Sequence, residues 1–434
     1  MRRWIVLAAV LVFAACGKDK EIDAPAKLLP FAATLKVNRA WTANVGYKKA
    51  AGLRLGLGLA LDGNRIYAAG HKGDLVALDA TTGRQVWRVN TKLELAGGAG
   101  VGNGMVAIGS SRGDVLAVSL SNGAKLWSVR LNGEVLAPPA ISDRVVVVRT
   151  VDGKLHGLAP DDGHELWSQE QQVPRLSLRG TSRPVLTGEL ALCGFDNGKV
   201  MAVNVLDGSV QWEATVSPPH GRTELERLID IDSAVDVVGQ DVYAVGFQGR
   251  IAMLALDNGQ VWWSHEASSY RGLGYDDDAL YMSTADGDVV SMRRRTGAEL
   301  WRQNALAHRL LSKVAISNDA LVTADFQGYV HWLDKSTGAL IARERAGKFR
   351  ISTPPVVSGN MVYVINDAGG ITAFKVQPIP GAPRPKAPPA PATDKGAPAT
   401  PPDTAPAPTN TAPAPTDAAP APADQGSDAP KTQN

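Results

Sequence analysis

Between Leu35 and Val376 the apolar residues come in short runs, and the polar residues fill the breaks between them. One stretch reads LAPPAISDRVVVVRTVDGKLHGLAPDDGHELWSQ. It divides into four strand-like runs, around Ala137–Ile141, Arg144–Arg149, Lys154–Leu158 and Glu165–Ser168. Ser142-Asp143, Asp152-Gly153 and Asp161-Asp162-Gly163 separate them, which are turn residues between β-branched runs. No sustained 3.6-residue apolar period occurs in this region, so the pattern predicts an all-β fold.

The four-run unit recurs. ALDATTGRQVW ends at Trp87, AVSLSNGAKLW at Trp127, GLAPDDGHELW at Trp167, AVNVLDGSVQW at Trp212, LALDNGQVWW at Trp263 and MRRRTGAELW at Trp301. A glycine stands four residues before each Trp: Gly83, Gly123, Gly163, Gly208, Gly259 and Gly297. A seventh copy keeps Gly338 but has Ala342 in place of the Trp. Four strands in roughly 40 residues describe a propeller blade. The Trp falls on the fourth, outermost strand, where its ring packs against the next blade, and the glycine permits the tight turn into that strand. The blade ending at Ala342 is expected to be the weakest of these, because it lacks that ring.

The two ends of the repeat complete the count. The last cycle, STPPVVSGNMVYVINDAGGITAFKV, supplies three strands and then runs into proline-rich sequence. LKVNRAWTANVG is a lone outer strand with Trp41 in register. Pairing the two gives an eighth blade and leaves no open sheet edge at the seam. The expected architecture is an eight-bladed β-propeller over residues 35–376.

The flanks read differently. Arg2 and Arg3, the apolar run Trp4–Ala15, and small residues before Cys16 have the layout of a signal peptide over residues 1–15. The run falls short of the roughly 20 residues needed to span a bilayer. Cys16 then stands where a lipoprotein cysteine is acylated, with residues 16–34 as lipidated cysteine and linker. Phe13 takes the place of the usual leucine, and Gly17 follows the cysteine where an aspartate would favour inner-membrane retention. The expected location is the periplasmic face of the outer membrane. Residues 377–434 hold 17 of the 28 prolines and no aromatic residue. Such a segment cannot bury enough apolar surface to offset its ordering entropy, and is expected to be disordered. A spacer and a contact with the cell wall or another envelope protein both fit it.

Charge and chemistry narrow the function. Without Arg2 and Arg3, the 45 basic residues fall to 43, equal to the 43 acidic ones, so nucleic-acid binding is not expected. The seven histidines form no H-x-H or H-x-x-x-H pair, no D-x-D-x-D run offers the six to eight oxygens calcium needs, and no metal site is expected. Gly97–Gly104 lacks the Lys-Ser/Thr of a phosphate loop and reads as an inner strand with its hairpin turn. Cys193, the other cysteine, reads as a small buried hydrophobe. No G-x-S-x-G elbow occurs, and no residue stands out as catalytic.

Ala77-x-Asp79-x-x-x-Gly83-Arg84-x-x-Trp87 closely resembles the tryptophan-docking motif of quinoprotein-type eight-bladed propellers. Two groups carry that motif: quinone (PQQ)-dependent alcohol dehydrogenases and non-enzymatic envelope lipoproteins. The dehydrogenases imply a quinone and calcium over the ring, with adjacent cysteines; this chain has no Cys-Cys pair. With the lipoprotein cysteine, the resemblance is to the BamB family of the β-barrel assembly machinery. It implies a scaffold without cofactor that binds BamA and aids insertion of outer-membrane barrels, with unfolded barrel proteins as possible further partners.

The period lengths single out one region. Trp167 to Trp212 is 45 residues and Trp212 to Trp263 is 51, against 38 to 41 elsewhere among Trp87 to Ala342. The extra residues, SQEQQVPRLSLRGTSRP and EATVSPPHGRTELERLIDIDSA, both join a fourth strand to the next first strand. They therefore emerge on one face, as neighbours. Leu176, Leu178, Leu225, Leu228 and Ile229 are apolar there, beside Arg179, Asp230 and Asp232. Two readings fit: a docking surface for a protein, or leucines folded inward with Arg179 paired to Asp230 or Asp232. LSLRG and RLIDID resemble the BamB segments that contact the periplasmic POTRA repeats of BamA. This implies partner contacts at Leu176, Leu178, Arg179, Asp230 and Asp232.

Overall fold

A computed structural model describes residues 24–46, 57–178, 180–223 and 225–382. Cys16 and the signal residues, Arg179, and the tail from 383 onward lie outside the described residues.

Eight four-stranded antiparallel sheets account for all the strands described. Blades I to VII span residues 60–90, 100–130, 140–170, 185–215, 236–267, 273–303 and 315–345. Blade VIII combines Val356–Ser358, Met361–Ile365 and Gly370–Pro378 with Leu35–Asn44 as its outer strand. Val37 pairs Val376 and Trp41 pairs Ala373 across that seam. Ala68, Val76 and Leu78 of blade I share a core with Ile365 and Ile371 of blade VIII, which closes the ring.

The burial of each strand follows from its place in the blade. Second and third strands such as Met105–Gly109 and Asp114–Ser119 are buried on both faces, because a blade lies on either side. That is why they read as continuous apolar runs. Outer strands alternate: Lys125–Arg130 exposes Lys125, Leu126 and Ser128 but buries Trp127. Every outer strand carries a β-bulge at the residue before the docking position, with Ala77 opposite Trp87 and Leu78 opposite Gln85, so Val86 is the extra residue. The same shift recurs in the other seven blades. Such a bulge bends and twists the outer strand.

The glycine does two jobs. Gly123 has φ +74°, a left-handed turn conformation, as expected. A Cβ there would also lie 2.8 Å from the ring of Trp87, which belongs to the preceding blade. Gly163 stands likewise under Trp127, and Gly208 under Trp167. The indole N–H then donates to a carbonyl three residues before that glycine: Trp87 to Leu120 at 3.1 Å, Trp127 to Pro160 at 2.7 Å and Trp212 to Leu256 at 2.8 Å. The motif is thus a two-blade device, a ring from one blade seated on the turn of the next.

Blade VII corrects one expectation. Ala342 is paired with Trp332 on the third strand, where the other blades carry smaller residues. Trp332 is fully buried and meets Phe374 of blade VIII edge-on, centroids 5.7 Å apart. The junction expected to lack an indole has one, delivered from the neighbouring strand, so the space is filled.

Residues 24–34 also lie against the propeller. The Ala26 N–H donates to the Ala307 carbonyl at 2.9 Å, and Arg309 donates to the Ala26 carbonyl at 2.9 Å. Arg343 donates to the Leu29 carbonyl at 3.0 Å, and Thr34 to the Ile341 carbonyl at 3.0 Å. The chain therefore runs along the outer edge of blade VII before entering the seam strand.

Candidate partner-docking site

The two long connections, residues 171–184 and 216–235, join blade III to IV and IV to V. Strand alternation puts both on the face where fourth strands end and first strands begin. They touch each other. The Leu178 N–H donates to Asp230 Oδ2 at 3.1 Å, and Ser182 Oγ donates to the Ser233 carbonyl at 2.8 Å. Gly180 packs so closely on Asp232 that a Cβ there would lie 2.7 Å from its carboxylate oxygen.

Local sequence explains the shape of the second connection. The Phe247 N–H donates to the Asp230 carbonyl at 2.8 Å, and Ile231 to Phe195 at 3.4 Å, so 230–231 is clamped between blades IV and V. Leu228, Ile229 and Ile231 are buried by this clamp. Leu225 stays 65% exposed and Leu176 43% exposed, with Leu178 half-buried. Leu228 and Ile229 thus fold inward, while Leu176 and Leu225 face outward.

Asp230 is fully buried. Its carboxylate, that of Asp232 and that of Asp196 lie within 4.8 Å of one another. Burial and the neighbouring carboxylates Asp232 and Asp196 push Asp230 far above the usual carboxylate range. Burial and Asp196 push Asp232 up as well, against the fields of Arg149 and Arg271. Burial raises Asp196 too, opposed by Arg149 at 3.2 Å. Arg149 is itself buried and stacks over Phe195, 4.5 Å from the ring centre. Protons and arginines thus balance this acidic cluster. Asp230 holds the Leu176–Leu178 stretch in position from beneath, and its carboxylate is not itself a surface group.

Cys193 is buried, and burial raises its thiol to about 11, which suits the packing role read from the sequence. One further connection was missed by counting Trp spacings from Trp87. Trp41 to Trp87 is 46 residues, and the 45–59 connection on the same face is correspondingly long, with 47–56 outside the described residues. Among the described residues no helix is long and apolar enough to cross a membrane.

Known proteins resemble the whole of this arrangement. The family described as outer membrane protein assembly factor BamB matches residues 34–94, 71–303 and 285–377. BamB of Pseudomonas aeruginosa is 46% identical over 373 residues, covering 86% of this chain and 98% of that protein. BamB of Xanthomonas campestris is 39% identical over 83% of this chain and 92% of its own. The crystal structure of BamB from Moraxella catarrhalis superposes with a TM-score of 0.72 at 28% identity, covering 78% of this chain and all of that one. Quinohemoprotein alcohol dehydrogenase from Comamonas testosteroni reaches a TM-score of 0.64 at 10% identity, over 78% of this chain and 76% of that one, a likeness of fold alone. The matched repeats, the closed eight-blade ring and full-length relatives agree: the chain belongs to the BamB family of outer-membrane protein assembly factors.

Proposed function

We propose that this chain is a periplasm-facing scaffold, anchored to the outer membrane through acylated Cys16, that docks the POTRA repeats of BamA with its two long connections. The family makes it a non-enzymatic assembly factor of outer-membrane proteins. The observation that carries the docking reading is the buried Asp230 anchor under the Leu176–Leu178 stretch. A rigid blade pair presents apolar side chains at the surface, where a solvated loop would bury or lose them. Leu176 and Leu178 supply the apolar contact, Arg179 the charged one, and Asp230 and Asp232 set the loop's shape. An exposed sheet edge of the partner would add to this surface by strand pairing.

The test is co-purification with BamA. Leu178→Ala combined with Arg179→Glu should lower capture about thirtyfold, the loss of one interface hot spot, with an unchanged circular dichroism spectrum. Equal capture by wild type and double variant would remove these connections from the interface. Mass spectrometry of the mature N-terminus tests the anchor: an acylated cysteine at position 16 is expected, and an unmodified one would overturn it.

A further inference from the structure

The chain as a whole balances its charges, but one edge of the ring does not. Residues 27–39 and 343–348 hold Lys27, Lys36, Arg39, Arg343, Arg345 and Lys348 against a single acid, Glu344. The fold lays these two stretches side by side. Arg343 donates to the Leu29 carbonyl, Thr34 to that of Ile341, and Arg39 Nη2 to that of Arg345 at 2.7 Å. Leu35 and Val37 pack into the core between blades VII and VIII, so strand alternation leaves Lys36 exposed. Lys375, opposite Asn38 across the seam, is exposed as well.

These cations lack internal counter-charges. Among the described residues no carboxylate forms an ion pair with Lys27, Lys36, Arg39, Arg345, Lys348 or Lys375. Arg345 donates to the Gly347 carbonyl at 3.1 Å and stacks over Tyr329, 5.1 Å from the ring centre. Those contacts orient its guanidinium without neutralising it. Other outer strands pair their cations: Arg130 meets Asp114 at 3.0 Å, Lys199 meets Glu213 at 3.2 Å and Arg302 meets Asp288 at 3.1 Å. Two apolar side chains stand exposed among the unpaired charges, Leu29 at 69% and Phe349 at 40%.

We propose that this edge, where the outer strand of blade VII meets the seam strand, rests on a bilayer that carries anionic phospholipid headgroups. Cations within a Debye length of such a surface add their attractions, and an exposed side chain such as Leu29 enters the headgroup boundary. The place of the edge in the chain supports this occupant. Cys16 stands ten residues before Ala26, which Ala307 and Arg309 hold against the ring. Ten residues extend no further than about 35 Å. Leu28 packs against Leu306, Leu311 and Leu333, so the chain leaves the propeller at this edge. An acyl anchor at Cys16 therefore brings this edge to the lipid before any other. That placement depends on acylation of Cys16; the charge imbalance does not. In an eight-blade ring the junction of blades III and IV lies opposite that of VII and VIII, so the long connections stay clear of the bilayer.

The experiment uses residues 16–434 with Cys16→Ser, so that no acyl chain contributes, and sedimentation with vesicles of phosphatidylethanolamine and phosphatidylglycerol at low salt. Binding is expected, lost in about 0.5 M salt and absent with pure phosphatidylcholine. Lys36→Glu/Lys348→Glu should bind at least about tenfold more weakly. Lys92→Glu/Lys125→Glu makes the same change in net charge at blades I and II and should bind as this parent chain does. Inorganic phosphate at matched ionic strength should not compete. Lys36→Glu/Lys348→Glu should capture BamA normally, and Leu178→Ala should bind vesicles normally, so this reading and the docking reading fail separately. Acylation fails separately too, since mass spectrometry of the N-terminus reads it without vesicles. Vesicle binding by Lys36→Glu/Lys348→Glu equal to that of the parent chain, or equal losses in the two charge variants, would overturn the proposal. So would full binding to phosphatidylcholine, displacement by inorganic phosphate, or loss of BamA capture in Lys36→Glu/Lys348→Glu.

Discussion

Blades V and VII both break the repeat, and they break it differently. Blade VII loses the docking Trp at Ala342 but gains Trp332 directly across the strand pair. The ring returns from another backbone position, fully buried against Phe374. Blade V keeps Trp263 on the Gly297 turn but sets Met253 opposite it, and the half-buried ring borders a groove. The fold therefore conserves a filled volume between blades, not a residue at a position.

The largest test of this contrast is Trp332→Ala. Emptying a fully buried indole site should cost about 3–5 kcal/mol, as much as Trp127→Ala, read from the unfolding midpoint in denaturant. Restoring the ring with Trp332→Ala/Ala342→Trp should recover part of the loss, because the pair then matches the other blades. A negligible cost for Trp332→Ala would mean that blade VII really is unsupported. In the wild type, hydrogen exchange should protect blade VII as well as its neighbours.

A smaller effect separates the junctions by their hydrogen bonds. Trp127→Phe removes a donor to the Pro160 carbonyl and should cost about 1 kcal/mol more than Trp263→Phe, whose indole N–H has no acceptor to lose. Equal costs would show that the two rings are docked alike.

The smallest effect concerns pH. Asp230 and Asp232 are held above the ordinary carboxylate range, so the folded state binds more protons than the unfolded chain. Stability from this cluster is present below the unfolded-state value of about 3.9 and declines as pH rises from there through the raised values. Blade VII has the opposite sign. Burial alone would raise Asp325, but His331 and Arg309 hold it below its ordinary value, and burial holds His331 below its own, despite Asp325 at 3.0 Å. Stability there is lost as pH falls, through the ordinary His value of about 6.5 and then through the Asp325 range. Asp230→Asn keeps an acceptor for the Leu178 N–H without the charge. Its midpoint relative to wild type should improve more at pH 9 than at pH 5; the reverse would place the acidic cluster in contact with water.

Much of the ring was legible in the chain. Turn residues at a period near 40, with one Trp per period, specify four strands and an inter-blade ring, because both signals are local. The seam followed from an unpaired strand at one end and three strands at the other. The long connections were legible as departures from the period. The inward direction of Asp230 was not, since charge beside leucines reads equally as rim or core. Trp332 was missed although the signal exists: it stands ten residues before Ala342, as Ala77 stands ten before Trp87.

The sequence by itself determined the number of blades, their strand order and the face on which the long segments emerge, since period, turn chemistry and antiparallel alternation are properties of neighbouring residues. Tertiary structure alone decided which indoles are buried between blades and which are left half-exposed. Whether an indole fits depends on the volume left by Met253 or Ala342 on an adjacent strand and by the glycine turn of another blade, and that volume exists only once the blades are packed together.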